Sequence, residues 1–405
     1  MAAAEVAPPL NGGSTSSRAD PLQVLNDYTT AGTSEGLSIN PLIVEQLSEA
    51  AKAQQEDAEV NHLVISAPGN DRRVFSNRIG DTDIALISKV FSPQGFALQY
   101  VDFSYNTIGD KGAAGIANML PECPNLRALI LRSNDIGPYG AHMIASKLSV
   151  CTELSKLDLS FNPIGRDGGM SVAAYLQTPN KLLHLDVDSA EVNIDVLIAL
   201  AAVLHVNNRT LCILNVENPR LFTLQQEHCT HFGRMLQVNT RLMELYLGKQ
   251  KIRDEGTQVL VSHLFDNRAL RVLDLRCNEI SVKGAFEIAR LLESDAVLQW
   301  LNLEANRMQD EGAFHIADAL KYNRHLSTLE RFQAVHNDFG PTAAAKWGKL
   351  LQKAPKVVVW SGVEVVNVCE RGGEVGVEDG FSKMVEGFQL NFDSGFDRDV
   401  EKETL

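Results

Sequence analysis

The chain has 405 residues, 44% of them hydrophobic and 22% charged, enough to bury one large core or two smaller ones. Its formal net charge of −14 argues against broad attachment to nucleic acid or anionic membrane, which needs clustered Lys and Arg. A protein partner with a basic face is the expected ligand, and no cofactor, metal or small-molecule substrate is implied.

The first residues, MAAAEVAPPLNGGSTSSRAD, lack a basic start followed by an apolar core, so no secretory leader is expected and residues 1–20 read as a disordered tail. The apolar patch Ile198 to Leu204 is too short to span a bilayer. Residues 21–62 read as an N-terminal helical cap. Asn40 serves there as N-cap and Pro41 as first residue of a helix running to about Asp57.

From residue 63 to 351 the sequence repeats itself. Leu126, Leu154 and Leu182 are spaced by 28, as are Leu242, Leu270 and Leu298. Each opens a unit LxxLxLxxNxI, followed by a Gly four residues on and an apolar helix. One unit reads Leu154, Leu157, Leu159, Asn162, Ile164, Gly168, Val172, Leu176, and another Leu270, Leu273, Leu275, Asn278, Ile280, Gly284, Ile288, Leu292. The LxL alternation predicts a short strand, and the i, i+4, i+8 spacing an amphipathic helix. Neither buries its apolar side alone, so stacked units must share one parallel sheet with the helices outside it. Strands spaced about 4.8 Å apart and helices about 8 to 10 Å apart force a curve with the strands inside. The expected fold is therefore an α/β solenoid, a horseshoe. The Asn column runs through Asn77, Asn106, Asn134, Asn162, Asn278, Asn306 and Asn337, with Ala190, Pro219 and Gln250 standing in, so about ten units are expected. Residues 352–390 read as a C-terminal cap, with a strand at Val357 to Val359 and a hairpin from Val363 to Val377. Residues 391–405 read as a second disordered tail.

This unit resembles the leucine-rich repeats of the ribonuclease-inhibitor class. The resemblance implies a concave face that binds proteins. The stretches LNVENPRLF, GRMLQVNTRLMELYLGKQKI and ALRVLDLRCNEIS resemble a subfamily without established catalytic residues, treated as interaction scaffolds. Its relatives imply a cytoplasmic role in a cilium, flagellum or axoneme, or else a nuclear, nucleolar one. The second lacks support from any basic localisation cluster.

No phosphate loop, HExxH, GxSxG or kinase set occurs, and the recurrent glycines read as helix entries, so no catalytic residue is assigned. His228, Cys229 and His231 supply at most one edge of a zinc site. The six cysteines contain no CxxC pair and read as reduced thiols, although Cys123 and Cys151 fall one repeat apart, where a bridge is geometrically allowed. The candidate binding residues are the expected exposed positions of the concave face. They comprise the acids Asp102, Asp158, Asp186, Asp188, Glu217, Asp274 and Glu304 and the aromatic anchors Tyr246 and Trp300, with Tyr100 and Phe161 beside them. Neighbouring carboxylates about 5 Å apart in water repel by about 1 kcal/mol per pair, which a basic partner would relieve. Leu211 to Leu242 spans 31 residues, three above the rule, and the excess falls after the strand; Pro219 and Phe222 are expected to stand up there as a rim contact. Ran GTPase-activating proteins use the same repeats, which makes Arg78, Arg166 and Arg253 the arginines to inspect for that alternative. Inhibition of a basic enzyme is the other.

Overall fold

A computed structural model of the chain describes residues 20–360 except 57–61, 71, 92–96, 223–225, 295–296, 323–328, 330 and 352–357. Two helices come first, α1 (Pro21–Glu35) and α2 (Pro41–Glu56), and α2 packs against strand β1 (Leu63–Ser66). Then strand and helix alternate: α3 (Asp81–Phe91), β2 (Leu98–Asp102), α4 (Asp110–Met119), β3 (Ala128–Ile130), α5 (Pro138–Lys147), β4 (Lys156–Asp158), α6 (Gly165–Gln177), β5 (His184–Asp186) and α7 (Ile194–Val206). The series continues through β6 (Ile213–Asn215), α8 (Glu227–Val238), β7 (Glu244–Tyr246), α9 (Arg253–Leu264), β8 (Val272–Asp274), α10 (Val282–Glu293), β9 (Trp300–Asn302), α11 (Gln309–Tyr322), β10 (Arg331–Gln333), α12 (Pro341–Leu351) and β11 (Val358–Trp360). The eleven strands form one parallel sheet in strict chain order, as the repeat requires. The final strand is described over Val358–Trp360; Val357, where it was expected to begin, lies outside the described residues. The expected hairpin at Val363 to Val377 and both tails lie outside the described residues.

Register puts the second leucine of every unit in one row: Leu129, Leu157, Leu185, Leu214, Leu245, Leu273 and Leu301, each beside the next and each buried. Burying one such side chain contributes about 2 kcal/mol. The helices pack on the same side of the sheet, so the core is one continuous slab between sheet and helix layer.

Polar side chains tie successive units together in two columns. The anticipated column follows the strand: Asn134 donates to the Phe103 carbonyl one unit back and accepts from Ile108 N–H, and Asn162 bonds Leu131 and Ile136 the same way. Asn106, Asn278, Asn306 and Asn337 repeat this bridge, and Gln250 reaches the Val216 carbonyl. Buried backbone groups at these turns thereby find partners. Ala190 and Pro219 carry no such side chain, so the column has a gap of two units. Asn77 does not belong to it; it ends a short 3-10 helix (Arg72–Asn77), and its carbonyl accepts from Asn40.

A second column precedes each strand. Asn208, Asn239 and Asn267 each accept two backbone N–H groups ahead of the opening leucine and donate to Leu176, Leu204 and Leu236 one unit back. Cys123 and Cys151 occupy the same position in earlier units, and the Cys151 thiol donates to the Leu120 carbonyl. Both thiols are free and buried, and burial pushes them up to about 12, so they stay protonated donors.

The residue before each member of the first column is left-handed: Tyr105, Ser133, Phe161, Ser189, Asn218, Lys249, Cys277, Ala305 and His336 all have φ between 51° and 59°. Side chains other than Gly or Asn adopt this at a cost of about 1 kcal/mol each, which the flanking bonds hold in place. Close stacking also explains the glycine that opens most of the helices. A Cβ on Gly140 would lie 2.7 Å from both Ala113 Cβ and Asp110 Oδ1, and Asp110 Oδ1 accepts the Gly137 and Gly140 N–H groups that open α5.

Candidate functional site on the open face of the sheet

The last residue of each strand from β2 to β10 lies in one row across the open face: Asp102, Ile130, Asp158, Asp186, Asn215, Tyr246, Asp274, Asn302 and Gln333. The carboxylates and amides of this row do not project. Asp102 accepts from Ser104 N–H, Asp158 from Ser160, Asp186 from Asp188 and Asp274 from Arg276, all at 2.9 Å, and Asn215 and Asn302 cap Glu217 and Glu304 alike. Asn215 Nδ2 also donates to Asp186 Oδ2, and Asn302 Nδ2 to Asp274 Oδ2. Asp and Asn are thus fitted here because their short side chains close a turn on the backbone two residues on.

This corrects the expected exposure of the acidic set. Asp158, Asp186, Asp188, Glu217 and Asp274 are buried, with Glu217 at 0% and Asp274 at 1% relative exposure, because each bends onto strand-end amides or into a neighbour. Asp102, Tyr246, Trp300 and Glu304 are half-buried and remain within reach of a partner.

Arginine and lysine offset the charge. Arg276 grips Glu217 with two nitrogens, Nε lying 3.0 Å from Oε1, and also lies 3.7 Å from Asp274; Lys249 approaches Glu217 at 3.1 Å. Gly248 stands between these partners, and a Cβ there would sit 2.8 Å from Glu217 Cδ. Its missing side chain opens the path between them. Burial pushes the Glu217 carboxyl up, but Arg276 and Lys249 reverse this and leave it below its usual range. Asp158 and Asp186 face each other in register; burial followed by repulsion from Asp158 lifts Asp186 to about 8, and burial lifts Asp158 in the same direction, with Arg132 opposing both. Burial with a like charge opposite favours the neutral form of Asp186, which relieves the repulsion expected between them. Burial and Lys156 press His184 down to about 3, so it stays neutral.

Aromatic rings provide the apolar part. Tyr246 and Trp300 meet edge to face at 6.0 Å; the Tyr246 hydroxyl donates to Glu244, and the Trp300 indole N–H donates to Gln333. Arg331 lies over the Trp300 ring at 5.9 Å. Phe161 is 42% exposed, with the Arg132 guanidinium stacked 4.4 Å from its ring centre, and Arg132 is held from behind by the Tyr105 hydroxyl and by Ser160. Tyr100 is half-buried at the β2 end of the face.

In the irregular unit, Pro219 occupies the asparagine column and is buried, not raised; a residue without N–H fits a slot whose side chain points inward. The added length emerges two residues later. Phe222 is 80% exposed, with Arg220 5.3 Å from its ring and Arg220 paired to Glu191 at 3.0 Å. His228 is fully buried in α8, its Nε2 3.5 Å from Cys229 Sγ, and burial lowers it to about 4; His231 is half-buried. Among the described residues no group of three metal-ligand side chains converges. The three inspected arginines are each engaged: Arg78 with the Gly69 carbonyl and the Phe75 ring, Arg166 with Asp195 and Asp167, Arg253 with Glu279.

Arg132 and Arg276 fall at concave-face positions expected from the repeat but were not chosen as binding residues, and Lys249 was not singled out. The pairing of Arg276 with Glu217 spans 59 residues, two repeats, and only Gly248 at the intervening strand signals it.

A sequence profile described as Leucine Rich repeat matches residues 97–117, 122–145, 150–173 and 266–289. Together with the eleven-stranded stack, this makes the chain a leucine-rich repeat solenoid. Among named proteins the chain resembles leucine-rich repeat-containing protein 34. The human protein is 40% identical over 68 residues, covering 17% of this chain and 15% of the relative; the mouse protein is 35% identical over 82 residues, 20% of each. The matched stretch therefore spans a fifth or less of these relatives. Among solved structures, leiomodin-1 actin-binding site 2 aligns with 44% of this chain and 94% of its own at 17% identity and a TM-score of 0.29. The Caenorhabditis elegans tropomodulin C-terminal domain aligns with 44% and 99% at 15% identity and a TM-score of 0.30. Repeats of this kind build extended surfaces for protein partners, and among the described residues no helix is long and apolar enough to cross a membrane.

Proposed function

We propose that the chain is a non-enzymatic scaffold that holds a protein partner against the open face of its sheet, in an intracellular, ciliary or flagellar assembly. The observation that supports this most directly is the row of accessible rings and arginines, Phe161 under Arg132 and Tyr246 against Trp300, on a rigid parallel sheet. Trp, Tyr and Arg are the residues that concentrate binding energy at interfaces. Asp102 and Glu304 remain as partly accessible carboxylates, and with the net charge of −14 they favour a partner whose contact surface is basic.

Charge reversal at Asp186 or Asp188 would disrupt the turn these side chains close, so the test belongs on the rings. Partners captured on the immobilised chain are identified and titrated calorimetrically against the parent and a Phe161→Ala, Trp300→Ala variant. The variant is expected to bind about tenfold or more weakly, about 1.4 kcal/mol, with little change in thermal midpoint. Equal affinity refutes the open-face site. Loss on Phe222→Ala alone would move the contact to the irregular unit.

A further inference from the structure

At the opposite ends of the strands from Phe222, the turns leading from α8 to β7 and from α9 to β8 enclose a cavity of about 410 Å³. Cys212, Asn239, Arg241, Met243, Arg268 and Arg271 are among the residues lining it. Three arginines face one lining carboxylate, Asp266, in a chain whose net charge is −14. Among the described residues none of the three arginines forms an ion pair. Arg209, on the preceding turn, is likewise exposed.

The second asparagine column fixes these turns. Asn239 and Asn267 lock the backbone that carries Arg241 and Arg268. Arg268 Nη1 donates to the Phe265 carbonyl at 2.8 Å, and Arg271 Nη1 to those of Arg268 and Ala269 at 3.0 Å. The Arg268 and Arg271 guanidiniums are thereby oriented with donors to spare, the arrangement that suits carboxylates. Met243 is 44% exposed and adds a flexible apolar wall.

We propose that this cavity receives an acidic segment of a protein partner, one apolar side chain entering beside Met243 while flanking carboxylates pair with Arg241, Arg268 and Arg271. The volume falls within the roughly 300 to 1,000 Å³ of small-ligand pockets, room for one large side chain. Nucleic acid is disfavoured because the surrounding chain is strongly acidic and no ring lines the cavity for base stacking. The site lies apart from the open face, so the scaffold engages acidic and basic surfaces through different edges.

A labelled synthetic peptide of alternating Asp and Glu with one central Phe, titrated into the full chain by fluorescence anisotropy, tests this. Saturable binding is expected to weaken about tenfold on Arg241→Glu and severalfold on Met243→Ala or on replacing the peptide's Phe by Ala. It should also weaken as salt rises and be indifferent to Trp300→Ala. Among the described residues the Arg241 and Met243 side chains form no hydrogen bond, so both variants are expected to keep the parent's thermal midpoint. The proposal is overturned by absent binding, by binding insensitive to Arg241→Glu, or by inorganic phosphate or an oligonucleotide binding through Arg241 where the peptide does not.

Discussion

Glu217 is an acid that a sequence reader places on the surface and the structure places beneath it. Its side chain is 1% exposed and depends on Arg276 and Lys249 for neutralisation. Removing one partner of a buried pair leaves a charge without compensation, at a cost of about 3 kcal/mol. Arg276→Ala is therefore expected to lower the urea midpoint markedly, and Arg276→Ala combined with Glu217→Gln to recover part of the loss; chemical denaturation of the three proteins measures both. The alternation of LDLR, LNVE and LDLS correctly marked these strand-end positions. It could not show that the side chains bend back, because an Asp that caps a turn and an Asp that meets solvent have the same spacing. The local cue was chemical: in this row a short Asp or Asn accounts for six of the nine residues from Asp102 to Gln333, which is the turn-closing preference of those residues.

Among the elements, the strands and helices were legible because two periods in one unit leave a single way to bury both apolar faces. Cap chemistry carried α2, where Asn40 accepts from Leu42 N–H. The same signature at Asp20-Pro21, closed by a left-handed Gly36, marks α1 inside the residues 21–62 read as a helical cap, although no separate helix was assigned on it. The second asparagine column went unread. Its members recur three residues before Leu211, Leu242 and Leu270, but Cys123, Cys151 and Pro179 occupy the position in earlier units and hide the column as a motif. Asn267→Ala removes the partner of two N–H groups and one carbonyl and is expected to cost about 2 kcal/mol, whereas Asn267→Asp, which keeps the acceptor, should cost less. Thermal melts of the two variants decide between this bonding role and simple loss of packing.

For the molecule as a whole, buried titratable groups pull stability in opposite directions with pH. His184 and His228 have folded values of about 3 and about 4, below the ordinary 6.5, so the unfolded chain binds protons more readily and stability is lost as pH falls through that window. Asp186, raised to about 8, and Asp274, raised to about 6, act the other way: their contribution is full below the unfolded value of 3.8 and is lost as pH rises. Asp158→Asn removes the facing charge and is expected to flatten the decline between about pH 6 and pH 8 while leaving acid sensitivity unchanged, as urea midpoints across that range would register. An unchanged alkaline slope would mean that Asp186 ionises without reference to Asp158. The left-handed residue that precedes the first column has a quieter consequence. Tyr, Ser, Phe, Ser, Asn, Lys, Cys, Ala and His all hold the same backbone angle there, one per strand and about 4.8 Å apart. The backbone toll is met by the flanking bonds and not by the side chain displayed. Apart from Lys249 and Tyr105, which hold Glu217 and Arg132, that edge can be rewritten letter by letter while the residues that build the solenoid stay as they are.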